Sequence, residues 1–109
     1  MRNPDFELLF KVRDYECDLQ GIVNNANYLH YMEHTRHEFL LSKDISFAQL
    51  HEEGIDAVLH HVDITYKCSL QSRDEFISQM RVEVEGYRQV FYHEILRKAD
   101  NRLCIRAKV

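Results

Sequence analysis

Apolar side chains occupy every second position near the start of the chain: Phe6, Leu8, Phe10 and Val12 with Glu7 and Lys11 between them. This is the period of a strand with one buried face, and residues 6–12 are expected as the first strand. The alternation is lost over residues 13–25, which carry Asp14, Glu16, Asp18, Gly21 and the pair Asn24-Asn25. Such a composition reads as a loop ending at a helix cap. From residue 27 to about residue 41 the period becomes helical, with Tyr28, Tyr31, Met32, Thr35 and Phe39 on one stripe and His30, His34 and His37 opposite. That helix is expected to bury one side.

A short helix is expected around residues 46–53, and Gly54 breaks it. A long strand follows, with Val58, His60, Val62, Ile64 and Tyr66 on one face and His61, Asp63, Thr65 and Lys67 on the other. Three more alternating runs succeed it: Met80, Val82 and Val84; residues 89–97; and Leu103, Ile105, Ala107 and Val109. Gly86 and Asp100-Asn101 suit the hairpin turns between them. The order is strand, helix and a meander of four strands, which specifies an α+β architecture: an antiparallel sheet of about five strands wrapped around one long helix. One Pro and three Gly leave no linker, and no repeat appears, so residues 1–109 are expected to form a single domain. The chain stops at Val109 inside a strand pattern, which points to a missing C-terminal end.

Composition narrows the class. With 45% hydrophobic and 29% charged residues the chain is of ordinary globular type. At this length folding hides only about two-thirds of the unfolded surface, so self-association is expected. Fourteen Lys and Arg against 18 Asp and Glu leave a net charge of -4, the wrong sign for neutralising phosphate backbones, and no nucleic-acid partner is expected. Cys17, Cys68 and Cys104 are odd in number and lack CxxC spacing, which favours reduced thiols and argues against zinc held by cysteine. The N-terminus is charged, and no segment approaches the roughly 20 apolar residues of a membrane span. A soluble, cytoplasmic protein without a membrane partner is the expectation.

The candidate chemistry lies in the loop and the start of the helix. The run Glu16-Cys17-Asp18-Leu19-Gln20-Gly21-Ile22-Val23-Asn24-Asn25-Ala26-Asn27-Tyr28, followed by Glu33, Arg36 and Glu38, resembles the hotdog-fold acyl-CoA thioesterases of the 4-hydroxybenzoyl-CoA thioesterase family. The pattern is Asp, two positions, Gly, one position, Val, then Asn-Tyr and a helix carrying an acid and an Arg. The resemblance implies hydrolysis of an acyl thioester in lipid metabolism, with Asp18 at the family's catalytic acid position as nucleophile or as general base for water. It also places the backbone amide of Asn25 at the helix N-terminus as oxyanion donor, where free N–H groups and the positive dipole end converge. Gly21 shapes the loop, and Val23, Asn24, Tyr28 and Glu33 are implied as substrate-binding residues. No cofactor is implied, since coenzyme A is part of the substrate. Many bacterial relatives carry His where this chain has Asn25, whereas the acyl-ACP thioesterase branch has Val-Asn-Asn, as at Val23-Asn24-Asn25; the carrier is therefore acyl-CoA or acyl-ACP. The family's active sites lie between subunits, which implies a homodimer or homotetramer. A reading of another class is a non-catalytic acyl-binding hotdog module. A hotdog dehydratase would need a His and an acid in that family's arrangement, which the loop and helix lack.

Plainer readings stand beside these. Asp18 on its own is a loop acid capping a turn, Glu16 has a supporting role at most, and Asn24 and Asn25 read as N-cap residues whether or not the site is catalytic. His30, His34 and His37 share a helical face, but a solvated or subunit-facing stripe explains them and no metal is expected. His60 and His61 point to opposite faces of a strand and cannot chelate one ion as neighbours. Glu33 and Arg36, one turn apart, suit a surface ion pair, a buried pair or an interface contact. Tyr28, Tyr31 and Phe39 read as core residues or as the wall of an acyl pocket.

Overall fold

A computed structural model describes residues 1, 3–44, 52, 61–86 and 88–109. Strand β1 (Phe6–Lys11) leads through a single 3-10 turn (Asp14–Glu16) into the long helix α1 (Asn25–Ser42), after which come β2 (Asp63–Tyr66), β3 (Glu75–Glu85), β4 (Arg88–Arg97) and β5 (Arg102–Lys108). The five strands form one antiparallel sheet in the order β1-β3-β4-β5-β2. The expected helix at residues 46–53 lies outside the described residues, apart from the exposed Glu52, as do Val58 and His60.

The four-strand meander needs correction. Only β3, β4 and β5 follow one another across the sheet; β2 pairs with β5, from Asp63 opposite Lys108 to Tyr66 opposite Ile105, and occupies the far edge. Alternation along a chain reports which face of a strand is buried and is silent on its neighbour. Residues 67–74 carry the chain from that edge back to β3, leaving β1 and β2 at opposite edges.

Helix α1 begins two residues before its expected start because Asn24 caps it: the side-chain oxygen accepts the Ala26 N–H at 3.0 Å. Its buried stripe is Tyr28, Tyr31, Met32 and Thr35, as the periodicity predicts, with Phe39 half-buried against Phe6. The stripe lies over β1 and β3, where Phe10, Tyr31 and Phe76 form a ring cluster with centroids 4.8–5.6 Å apart. Two buried hydroxyls, of Thr35 and Ser78, satisfy each other at 2.8 Å within this layer. Among the described residues, no helix is long and apolar enough to cross a membrane.

Strand β5 departs from simple alternation. Its pairing with β4 jumps from Ile95 opposite Ile105 to Leu96 opposite Leu103, so Cys104 is the extra residue of a bulge and is buried together with Ile105. Beside it, the N–H groups of Lys67 and Cys68 both donate to the Cys104 carbonyl. The two cysteines thus become lateral neighbours and are disulfide-bonded, 36 residues apart in sequence. This corrects the expectation of three reduced thiols; only Cys17 is free. The pairing was hidden because it depends on β2 lying beside β5.

Candidate active site

Residues 12–24 form a loop built almost wholly from main-chain bonds. Its entrance is anchored to the β3 approach by Val12 N–H to the Asp74 carbonyl (2.8 Å) and Arg73 N–H to the Val12 carbonyl (3.0 Å). The 3-10 turn is closed by the Glu16 carboxylate, which accepts the Arg13 N–H at 2.8 Å. Cys17 and Val23 then bridge antiparallel, and Asp18 N–H donates to the Ile22 carbonyl at 2.9 Å. Between them the chain reverses: Gly21 N–H donates back to the Asp18 carbonyl at 3.0 Å, and Asp18 Oδ1 accepts the Gln20 N–H at 2.8 Å. Gly21 closes the reversal at φ +79°, a left-handed conformation that glycine adopts without steric cost.

Two staples fix this turn against the helix. The Glu16 carbonyl accepts both the Asn24 N–H (3.0 Å) and the Asn27 side-chain amide (2.7 Å), so the first turn of α1 grips the strand that leads into Asp18. From below, the Leu70 carbonyl accepts the Val23 N–H (2.8 Å) and the Leu70 N–H donates to the Tyr28 hydroxyl (3.0 Å). Burial pushes the Tyr28 phenol above its ordinary range, and it stays a neutral hydroxyl at physiological pH. Burial raises the phenol of Tyr31 further, with the Glu16 carboxylate beside it adding to the effect.

Asp18, Gly21, Asn24 and Asn25 therefore meet at one loop–helix junction. The Asp18 carboxylate is exposed there, and Asn25 is the first helical residue, whose N–H has no acceptor within the helix. Val23 and Tyr28 support the junction from the core, both 2% exposed. Glu33 stands apart, about 12 Å further along the helix axis at 1.5 Å per residue. Its carboxylate lies 3.8 Å from His37, and His34 lies 3.8 Å from Glu38. Arg36, paired with Glu33 in the sequence reading, turns inward instead: its Nη1 lies 3.2 Å from His93 Nε2 and its guanidinium faces the Phe91 ring. The i,i+4 spacing carries Glu33 to His37, which leaves Arg36 to the sheet. Among the described residues, no group of three or more His, Cys, Asp or Glu forms a metal cluster.

Three contributors were not singled out as site residues from sequence. Asn27 sits in the quoted motif, yet its grip on the Glu16 carbonyl depends on the loop folding back. Arg36 and His93 are separated by 57 residues and meet only through the placement of β4 beneath α1. Two concavities flank the helix. A groove of about 890 Å³ runs between β1 and α1 past Arg13, Glu16 and Tyr31. A cavity of about 270 Å³ lies along the other side, between Ala26, Leu29, Glu33 and Arg36 of α1 and the strand-end residues Val62 and Val109.

The family model of the thioesterase-like superfamily matches residues 12–109. A chloroplastic acyl-acyl carrier protein thioesterase of Arabidopsis thaliana is 32% identical over 96 residues, which make up 88% of this chain and 50% of that protein. The chain thus spans half the length of that relative. Among solved structures, the 1,4-dihydroxy-2-naphthoyl-CoA thioesterase of Synechocystis superposes with a TM-score of 0.89 at 19% identity, over 94% of this chain and 77% of that one. A protein of Aquifex aeolicus superposes with a TM-score of 0.87 at 29% identity, over 94% of this chain and 83% of that one. A sheet wrapped on one helix, a glycine-closed acidic turn stapled to that helix's N-terminus, and a family match over nearly the whole chain together place this protein in the thioesterase-like superfamily, with the hotdog fold.

Proposed function

We propose that the chain hydrolyses acyl thioesters at the junction between the Asp18 turn and the N-terminus of α1. The observation that carries this reading is the double grip on the Glu16 carbonyl, which fixes an exposed carboxylate in register with a helix N-terminus. Asp18 Oδ1 is held by the Gln20 N–H, which leaves Oδ2 to act. As a base, Oδ2 takes a proton from water as the water oxygen attacks the thioester carbonyl. As a nucleophile, it attacks the carbonyl itself to form an acyl anhydride that water then cleaves. Either way the carbonyl oxygen gains negative charge, the Asn25 N–H donates to it, and the C–S bond breaks to release a thiol and a free acid. Water is the only co-reactant.

Acyl-CoA is the substrate implied by the motif. Acyl-ACP is the second reading, favoured by Val23-Asn24-Asn25 and by the Arabidopsis relative. A homodimer or homotetramer completes the site: Leu19, next to Asp18, is fully exposed and Tyr15 nearly so, an arrangement that suits cover by a second copy. The test is a thiol-release assay on short, long and aromatic acyl groups, each presented on CoA and on ACP. Turnover of any member supports the reading and names the carrier. Binding without turnover across the panel would support the acyl-binding module instead.

A further inference from the structure

We infer that Arg36 marks the far end of the acyl channel and selects acyl groups whose distal end carries an oxygen acceptor, a carboxylate above all; this rests on the thioesterase reading. The guanidinium is a half-buried cation that feels the Glu33 charge but, among the described residues, is bonded to no carboxylate. It offers five N–H donors, of which Nη1 goes to His93 Nε2 at 3.2 Å, and among the described residues no carboxylate lies within ion-pair distance of it. His93 supplies no compensating charge. Arginine only donates, so Nε2 accepts and Nδ1 carries the proton; the ring is fully buried, with Nδ1 unpartnered, and is neutral. A cation partly removed from water with no directly bonded acceptor anion is costly, and the cost is offset if a ligand brings that acceptor.

The cavity beside it points to that ligand. Its helical wall starts at Ala26, next to the Asn25 amide, continues through Leu29 and ends at Arg36, with Val62 and Val109 opposite. From Asn25 to Arg36 the axis advances about 16 Å at 1.5 Å per residue. Helical side chains lean toward the N-terminus, so a medium-length acyl chain with its carbonyl at the amide brings its distal end to the guanidinium. Glu33 lines the same cavity, but its side chain is 56% exposed and lies beside His37, so solvent screens it while Arg36 remains the buried charge.

The experiment compares kcat and KM for decanoyl, ω-hydroxydecanoyl and sebacyl thioesters, on CoA and on ACP, in the wild type and in Arg36→Gln. The wild type is expected to favour sebacyl over decanoyl by about tenfold or more in kcat/KM, with ω-hydroxydecanoyl between, as for a charge-assisted contact. Arg36→Gln is expected to raise KM for sebacyl about tenfold more than KM for decanoyl. No preference in the wild type, or equal losses on all three substrates in a folded variant, overturns the inference. Should Arg36→Gln fail to fold, inhibition of the wild type by free sebacate against free decanoate decides, since tighter binding of decanoate would also overturn it. If no thioester is hydrolysed at all, the thioesterase reading fails, and calorimetric binding of the two free acids still tests the cavity.

Discussion

Gly21 shows how a single residue sets the site. A Cβ there would meet no atom within 4 Å, so the demand for glycine comes from its φ of +79° alone. Gly21→Ala should therefore cost about 1–2 kcal/mol in urea unfolding and lower turnover, while Gly21→Asn should cost less, because Asn enters the left-handed region more readily. A larger loss in the Asn variant would point to a contact in place of backbone conformation. This demand was legible in the sequence, as was the Asn24 cap, because both act through their own neighbours along the chain. His93 was not legible as a site residue: its partner is 57 residues away and depends on which strand runs under α1. Burial, and then the Arg36 charge, hold its imidazole down at about 3 against the usual 6.5. The unfolded chain therefore takes up a proton below pH 6.5 that the folded protein refuses, and stability present above that pH is lost as pH falls toward 3. The loss is expected at roughly 1.4 kcal/mol per pH unit beyond that of a His93→Gln variant. Identical pH slopes in the two proteins would contradict it.

At the level of elements, periodicity located the strands and the helix, because burying one face imposes a repeat on each of them. Which strand lies beside which was not written there. The β2–β5 pairing arises from a connection that crosses the sheet, and the Cys68–Cys104 bond and the β5 bulge follow from it. That bond secures the segment leading to Leu70, which holds both the Val23 amide and the Tyr28 hydroxyl. With the cysteines 36 positions apart, chain entropy alone assigns it about 3–4 kcal/mol. Urea unfolding with and without a dithiol reductant should show a loss of that order, and Cys68→Ser should show it without reductant. Unchanged midpoints in both would mean the bond contributes nothing.

Among the described residues, the long helix lies over the β1 and β3 side of the sheet, β1 and β2 form the sheet's edges, and exposed apolar side chains stand at Leu19 and Tyr15 beside the acidic turn. The proposed second copy would cover both a thin core and an open site. The loop–helix motif carried the functional reading in the sequence because its residues are contiguous, whereas the cavity beside Arg36 was invisible, being assembled from α1 and the ends of two distant strands. In the proposed reaction Asp18 carries the hydrolysis. This role is tested most directly by thiol release from the best substrate of the panel, with wild type and Asp18→Asn compared at equal oligomeric state and equal unfolding midpoint. Among the described residues, Asp18 bonds only to the main chain of its own turn, so the variant is expected to fold normally and its turnover to drop to background. Turnover close to the wild type would contradict the account.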